Sequence, residues 1–120
     1  MKTWAVVGLG NNPERAAFGV AKLLQDKGHR IIPVYPQAET VHGEVGYKTL
    51  SEIPGPIDVV DCFVNSTLVG KVVDEAIAIG AKAVWLQLDV IDNDAIARAQ
   101  AAGLITVMDR CPAIEYRKKS

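Results

Sequence analysis

The chain has 120 residues, close to the commonest size of one domain, so a single domain over residues 1–120 with one hydrophobic core is expected. Hydrophobic residues make up 49% and charged residues 22%, which excludes disordered and fibrous proteins. The formal net charge of -1 argues against a general nucleic-acid binder, because such a protein carries a clustered basic surface.

The first third of the chain predicts a strand, a helix and a second strand. Residues 4–7 form a short apolar run closed by Gly8, which is typical of a buried strand. Apolar residues then recur at helical spacing over residues 16–24, and Gly28 provides a stop for that helix. Residues 31–34 are predicted to be the second strand.

The segment over residues 35–56 contains prolines and glycines and has little periodicity. It predicts a short extra strand near residues 45–47. It also predicts a helical turn near residues 50–53.

The second half of the chain repeats the alternation of strand and helix. Residues 57–63 predict a third strand, and Ser66 or Thr67 is expected to cap the helix that follows. That helix is expected to end at Gly80, before a fourth strand over residues 83–88.

The last predicted helix and strand continue the alternation. Asp92 is the expected N-cap of a helix that ends at Gly103, and residues 104–108 predict the final strand. Strands that alternate with helices imply βαβ units and therefore a parallel sheet covered on both faces. The predicted fold is a three-layer, doubly wound, Rossmann-like α/β fold with about five main strands.

Ligands of such folds bind beyond the carboxyl ends of the strands, so the loops after the predicted strands are the places to inspect. In the first of these loops, Gly8 and Gly10 permit a tight turn and let backbone N–H groups approach a ligand. The helix beginning near Arg15 would direct its N-terminus toward the same space, which favours an anion. The alternative is that the glycines only form a βα turn and that Arg15 is solvated.

A dinucleotide site usually has an acid at the end of the second strand, where it holds the ribose hydroxyls. Here Val34 is followed by Tyr35, Pro36 and Gln37, and no acid occurs before Glu39. This absence argues against NAD. Tyr35 is expected either to flank an adenine or to pack on the loop.

Catalytic groups are not evident in the sequence, and no catalytic residue is assigned. His29 is expected at the end of the sheet opposite the site, and His42 is interpreted as a surface loop residue. Asp58 and Asp61 are three apart on one predicted strand and so point to opposite faces, which excludes a carboxylate pair. Whether the protein is an enzyme stays undecided, with a non-catalytic role preferred.

The two cysteines, Cys62 and Cys111, are interpreted as reduced thiols of a cytoplasmic protein. In the doubly wound order, one strand lies between the strands of the two cysteines. Their backbones are therefore expected to be about 9–10 Å apart, too far for a disulfide without loop movement. Without further ligands they predict no metal site. No segment resembles a signal peptide or a membrane span, and the basic tail Arg117-Lys118-Lys119 is expected to be a solvated terminus.

Five blocks in chain order carry a family resemblance: residues 8–13 (GLGNNP), 31–36 (IIPVYP), 57–61 (IDVVD), 76–88 (AIAIGAKAVWLQL) and 107–112 (VMDRCP). Together they resemble the small stand-alone CoA-binding-domain proteins of bacteria, a family similar to the CoA-binding domain of the succinyl-CoA synthetase α subunit. The resemblance implies a Rossmann-like fold with coenzyme A laid across the carboxyl edge of the sheet. It does not imply ligase activity, because the related ligases use a phosphorylated histidine in a separate domain.

By this resemblance the glycine loop would face the phosphates, residues 34–36 would flank the adenine or ribose, and residues 63–65 with Gln87 would line the path of the pantetheine. The complete set of expected cofactor-binding residues is Gly8, Leu9, Gly10, Asn11, Asn12, Arg15, Val34, Tyr35, Pro36, Phe63, Val64, Asn65 and Gln87.

The sequence departs from the family pattern at Tyr35, Gln37, Val64 and Asp89, which together remove two cations and add one carboxylate near the expected phosphates. At up to about 1 kcal/mol for each exposed charge, the loss of affinity would approach a factor of about a hundred.

The function favoured by the sequence is a non-catalytic module that binds CoA or acyl-CoA, with a protein partner or a homo-oligomer as a further possibility. Two alternatives stay open. One is a small enzyme acting on an acyl-CoA or NAD(P) substrate. The other is an interaction domain whose nucleotide site has decayed.

Overall fold

The computed structural model describes residues 2–112 and 114–115, and the basic tail Arg117-Lys118-Lys119 lies outside them. Strands and helices alternate in the predicted order. They are β1 (Thr3–Val7), α1 (Ala16–Asp26), β2 (Arg30–Val34), a 3₁₀ turn (Leu50–Glu52), β3 (Val59–Cys62), α2 (Ser66–Ala78), β4 (Ala83–Leu86), α3 (Asn93–Ala101) and β5 (Ile105–Val107).

The five strands form one parallel sheet in the order β2-β1-β3-β4-β5. This is a doubly wound, Rossmann-like α/β fold, as predicted. Its strand order reverses between β1 and β3, because the chain first moves outward from β1 to β2 and then returns to the other side. The prediction that Pro33 lies within a strand is confirmed, and β2 is an edge strand, where a missing backbone N–H is tolerated.

Both faces of the sheet are buried under helices. On the α1 side, Leu24 of the helix packs with Trp4 and Val6 of β1. On the other side, Val69 of α2 packs with Val7 in the core that α3 also covers. Period-2 alternation along β1 therefore divides its side chains between two apolar layers, which explains why this strand is apolar from Trp4 to Val7.

The predicted cap of the last helix is confirmed. Asp92 precedes α3, and its carboxylate accepts a hydrogen bond from the backbone N–H of Ala95 at 3.0 Å. A side-chain acceptor at this position satisfies one of the N–H groups that the first helical turn leaves without a partner.

The predicted cap of α2 is wrong. Asn65 is the N-cap residue and makes no side-chain capping bond, while Ser66 is the first helical residue. The Ser66 hydroxyl instead accepts from the N–H of Ile91 at 2.9 Å and contacts the carbonyl of Asp89 at 3.3 Å. The hydroxyl is used to attach the loop after β4 to the start of α2.

The segment between β2 and β3 is not built as predicted. Residues 45–47 form no strand, and Tyr47 makes only an isolated parallel bridge to Val34. The reason is that this segment folds back on itself, so closely that a Cβ at Gly46 would collide with the carbonyl oxygen of Glu39. The predicted helical turn is present as the 3₁₀ turn at Leu50–Glu52.

Strands β3, β4 and β5 are all shorter than predicted, since each loses residues to the loop at one or both ends. Among the described residues, no helix is both long enough and apolar enough to cross a membrane.

Candidate ligand-binding site

A cleft opens where the loops after β1 and β3 diverge, at the reversal point of the strand order. This is the place at which the fold itself provides space for a ligand. The cleft has two adjoining parts. The first compartment, of about 660 Å³, lies over β1 and β2 and is lined by Tyr35, Lys48, Lys71 and the glycine loop. The second compartment, of about 450 Å³, lies over β3 and β4 and is lined by Gln87, Leu88 and Cys111.

The glycine loop is shaped by close backbone approach. Gly8 has a φ of +100°, and a Cβ there would collide with the carbonyl oxygen of Phe63. Its N–H donates to the carbonyl of Val34 at 2.8 Å, and the N–H of Phe63 donates to the carbonyl of Val7 at 2.8 Å. The first glycine therefore allows the two loops that border the cleft to pass against each other.

Glu39 contacts the same loop although it lies well beyond β2 in sequence. Its carboxylate accepts the backbone N–H of Asn11 at 2.9 Å, and the Asn11 side chain donates to the carbonyl of Thr40 at 2.8 Å. Residues 35–40 therefore fold back over the glycine loop and bring an acid into the first compartment. An acid is absent next to the end of β2, as the sequence shows, but Glu39 reaches this edge from farther along the chain.

Two lysines of the first compartment were not anticipated from the sequence. Lys48 follows the Tyr47 bridge, and Lys71 lies on α2 beside Leu68, which also lines the compartment. With Arg15 they place three cations against the single carboxylate of Glu39. A helical-wheel reading of α2 would have found Lys71, since it lies three residues from Leu68 and so shares its face. Lys48 belongs to a segment without periodicity and offers no comparable signal.

Tyr35 packs on the glycine loop, which is one of its two expected roles, while a place beside an adenine stays a prediction. Its ring lines the first compartment and also packs over the glycine loop, where a Cβ on Gly10 would lie only 3.3 Å from the ring. Glycine at position 10 therefore keeps the aromatic face close to the loop.

The second compartment is less basic. It shares Gly8, Arg15, Phe63 and Val64 with the first compartment, so the two form one elongated depression. Its base contains the side chain of Gln87, which is 5% exposed and whose amide oxygen has no hydrogen-bond partner among the described residues. A buried acceptor without a partner costs about 1–3 kcal/mol unless a ligand or a water molecule satisfies it.

The loops after β4 and β5 form the outer wall of the second compartment. The N–H of Asp89 donates to the carboxylate of Asp109 at 2.7 Å, and both residues have positive φ angles, +67° and +60°. The indole N–H of Trp85 donates to the carbonyl of Arg110 at 2.7 Å. These bonds hold the turn that precedes Cys111.

All but one of the expected cofactor-binding residues line one or both compartments. The exception is Leu9, whose side chain is fully buried in the core beneath α1. The structure thus brings together residues from the loops after β1, β2, β3 and β4, as expected for the carboxyl edge of a parallel sheet.

The two histidines considered in the sequence lie apart from the cleft. His42 is not a simple surface residue: its ring packs on Phe18 with centroids 4.3 Å apart, and its Nε2 lies 2.8 Å from the Phe18 carbonyl oxygen. His29 lies at the amino end of the sheet, where it accepts a hydrogen bond from the N–H of Lys2 at 3.2 Å. Among the described residues, no group of three or more His, Cys, Asp or Glu side chains is arranged to hold a metal ion.

The two aspartates near β3 have opposite environments. Asp58 precedes the strand, accepts the N–H of Thr3 at 2.8 Å and contacts Lys82 at 3.3 Å; the Thr3 N–H lowers the pKa of Asp58. Asp61 lies within the strand, is fully buried and has no hydrogen-bond partner among the described residues. Burial raises the pKa of Asp61 well above its ordinary value.

Known proteins share this sequence pattern and this fold. The sequence matches the model of a CoA binding domain over residues 2–117. The chain belongs to this CoA-binding-domain family. A solved structure of a hypothetical protein from Pyrococcus horikoshii OT3 superposes with a TM-score of 0.93 at 40% identity, covering 98% of this chain and 82% of that one.

Two curated relatives extend the comparison. The uncharacterized protein YneT of Bacillus subtilis (strain 168) is 36% identical over 110 residues, which cover 92% of this chain and 82% of the relative. The alpha subunit of acetate–CoA ligase [ADP-forming] II from Pyrococcus furiosus is 33% identical over 81 residues, covering 67% of this chain but only 18% of that subunit. The CoA-binding-domain family is therefore represented both by small proteins and by part of a much longer ligase subunit.

Proposed function

We propose that this chain is a non-catalytic module that binds coenzyme A or an acyl-CoA in the two-part cleft. The observation that carries the proposal is the juxtaposition of a basic compartment with a less basic one along a single depression. CoA has the same division, since a nucleotide with several phosphates is joined to an uncharged pantetheine arm that ends in a thiol.

The first compartment suits the phosphorylated nucleotide. Arg15, Lys48 and Lys71 approach it from α1, the segment after β2 and α2, so an anion bound there would be contacted from several sides. Cations on flexible side chains form charge-assisted hydrogen bonds with phosphate oxygens. These lysines offset the two cations that the sequence lacks relative to its family, so the predicted loss of affinity should be smaller than the missing positions alone suggest.

The second compartment suits the pantetheine arm. Phe63 and Val64 are shared by both compartments and provide apolar surface along the passage between them. Gln87 presents an unpaired amide oxygen at the base, which an amide N–H of the arm would satisfy. The two cysteines of the chain are free, which fits the reducing cytoplasm as the place of action.

A dinucleotide is the second candidate, and Glu39 is the observation that favours it. Its carboxylate lies at the glycine loop, where an acid could accept hydrogen bonds from ribose hydroxyls. The two candidates differ at the far end of the ligand, because NAD has no thiol-terminated arm to place over Gln87.

A panel of ligands tests the proposal. The melting temperature of the protein is expected to rise with CoA and acetyl-CoA more than with NAD, NADP or ATP at equal concentration, because a ligand that binds only the folded state stabilises it. A larger rise with NAD than with CoA would favour the dinucleotide candidate and overturn the proposal.

The substitution Lys71→Gln is expected to weaken CoA binding by about fivefold, which corresponds to one exposed charge contact of roughly 1 kcal/mol. The affinity is measured by titration calorimetry at low salt, where screening is smallest. Lys22→Gln is the matched control, since Lys22 lies on α1, pairs with Asp26 at 3.2 Å and does not line the cleft. Equal losses in both variants would contradict a specific role for Lys71.

A further inference from the structure

Gln87 and Cys111 both line the second compartment. Gln87 follows β4 and carries the buried amide oxygen without a partner. Cys111 follows β5 and is a half-buried free thiol that lines the same compartment. A ligand bound in this compartment would therefore lie against both residues.

The unsatisfied oxygen specifies part of that ligand. It needs an N–H donor that reaches the base of the compartment, and it gains most from an uncharged donor because the site is enclosed by Phe63, Ala17 and Val90. The pantetheine arm carries amide N–H groups, and its thiol lies at the end beyond them. An arm whose amide is bound at Gln87 would thus present sulfur to the wall that contains Cys111.

We infer that the second compartment is a thiol–disulfide exchange site, in which Cys111 forms a mixed disulfide with the pantetheine sulfur of CoA supplied as CoA disulfide. This inference rests on the proposed function, because the nucleotide in the first compartment is what brings the arm to Cys111.

The exchange balances without any further reactant. The Cys111 thiolate attacks one sulfur of CoA disulfide, so the bond between the two CoA sulfurs breaks and a bond between Cys111 and one CoA sulfur forms. The Cys111 sulfur is oxidised to the disulfide level, while the departing CoA sulfur is reduced. The departing thiolate takes up the proton that Cys111 has lost.

The second cysteine of the chain provides an internal contrast. Cys62 ends β3, is fully buried and lines neither compartment. Burial raises the pKa of the Cys62 thiol far above its ordinary value, so almost no thiolate forms there. A reagent that enters the cleft should therefore modify Cys111 and leave Cys62 unmodified.

The experiment uses the full chain incubated with CoA disulfide or with pantethine, the disulfide of pantetheine, which lacks the nucleotide. Intact mass spectrometry follows the adduct, and peptide mapping of the wild-type adduct locates the modified cysteine. We expect one adduct per chain, on Cys111, formed about tenfold faster with CoA disulfide than with pantethine, a factor equal to one or two charge contacts. Cys111→Ser should abolish the adduct and Cys62→Ala should retain it.

Two further variants separate the contributions of the compartments. Lys71→Gln should slow the reaction with CoA disulfide but not with pantethine, because only the former carries phosphates. Gln87→Leu should slow both reactions, because both ligands carry the amide donors.

The remaining outcomes distinguish failure of the exchange from failure of CoA binding. Equal rates with CoA disulfide and pantethine, unchanged in Lys71→Gln, would show that Cys111 is only an accessible thiol and would overturn the inference. A rise in melting temperature with reduced CoA but no adduct with CoA disulfide would overturn the exchange while leaving CoA binding intact. Neither a rise nor an adduct would overturn the proposed function and the inference together.

Discussion

Replacing Gly8 with alanine is expected to lower the free energy of unfolding by about 2–5 kcal/mol, because the substitution combines a steric collision with an unfavourable backbone angle. The added Cβ would collide with the carbonyl oxygen of Phe63, and the φ of +100° is unfavourable for any residue with a side chain. Relief requires the loops after β1 and β3 to separate, which would widen the cleft where its two compartments join. The measurement is the urea midpoint at constant m-value.

Substitutions at two other glycines distinguish the steric contact from the backbone strain as causes of that loss. Gly28 also has a positive φ, +91°, but a Cβ there would meet open space, so Gly28→Ala reports the backbone strain alone. Gly19 lies inside α1 with no atom near its Cβ position, so Gly19→Ala should stabilise the protein by about 0.5–1 kcal/mol. A loss in Gly8→Ala no greater than that in Gly28→Ala would contradict the role assigned to the contact with Phe63.

The fold was predictable because its signals are local and repeated. Short apolar runs mark the strands, helical spacing marks α1 and α2, and glycines end the helices, so the alternation of elements follows from local signals. Once a parallel sheet is inferred, the position of the site follows as well, since the loops after the strands meet at one edge. The cap at Asp92 is similarly local, because donor and acceptor lie three residues apart.

The composition of the site was less predictable, because it depends on contacts between distant residues. Glu39 reaches Asn11 and Lys48 reaches the cleft only because the segment after β2 folds back and bridges Val34 through Tyr47. No periodicity encodes such a fold-back. The use of Ser66 to hold the loop after β4 rather than to cap α2 has the same cause, since its partner Ile91 is 25 residues away.

The burial of Asp61 could have been predicted from the sequence. A strand in a parallel sheet with helices on both faces buries every side chain, so an aspartate in the middle of β3 has no route to solvent. Alternation was used only to place Asp61 and Asp58 on opposite faces of the sheet, although helices cover both of those faces.

The stability of the protein is expected to fall as the pH rises, with Asp61 as the cause. The folded state keeps the Asp61 proton because the carboxyl is fully buried without a partner, whereas the unfolded state releases it near pH 3.9. The stabilising contribution of the buried Asp61 carboxyl is therefore fully present below that pH and is lost as the pH rises toward the raised pKa of the folded state. The slope approaches 1.4 kcal/mol per pH unit, roughly, where the two states differ by one proton.

Asp61→Asn removes the titrating group while keeping its size, so this part of the pH dependence should disappear. The substitution also alters the buried polar group itself, so the informative quantity is the change of the urea midpoint between about pH 5 and 8 rather than its absolute value. Contributions common to wild type and variant cancel when the two slopes are subtracted.

Asp58→Asn is the matched control, three residues away on the same segment. The pKa of Asp58 is lowered by the Thr3 N–H, so Asp58 stabilises the fold above its unfolded pKa and loses that contribution only as the pH falls toward acid. Its substitution should leave the slope between about pH 5 and 8 unchanged. If Asp61→Asn left that slope unchanged too, the carboxyl of Asp61 would have to be ionised inside the sheet with a partner that its surroundings in β3 do not provide.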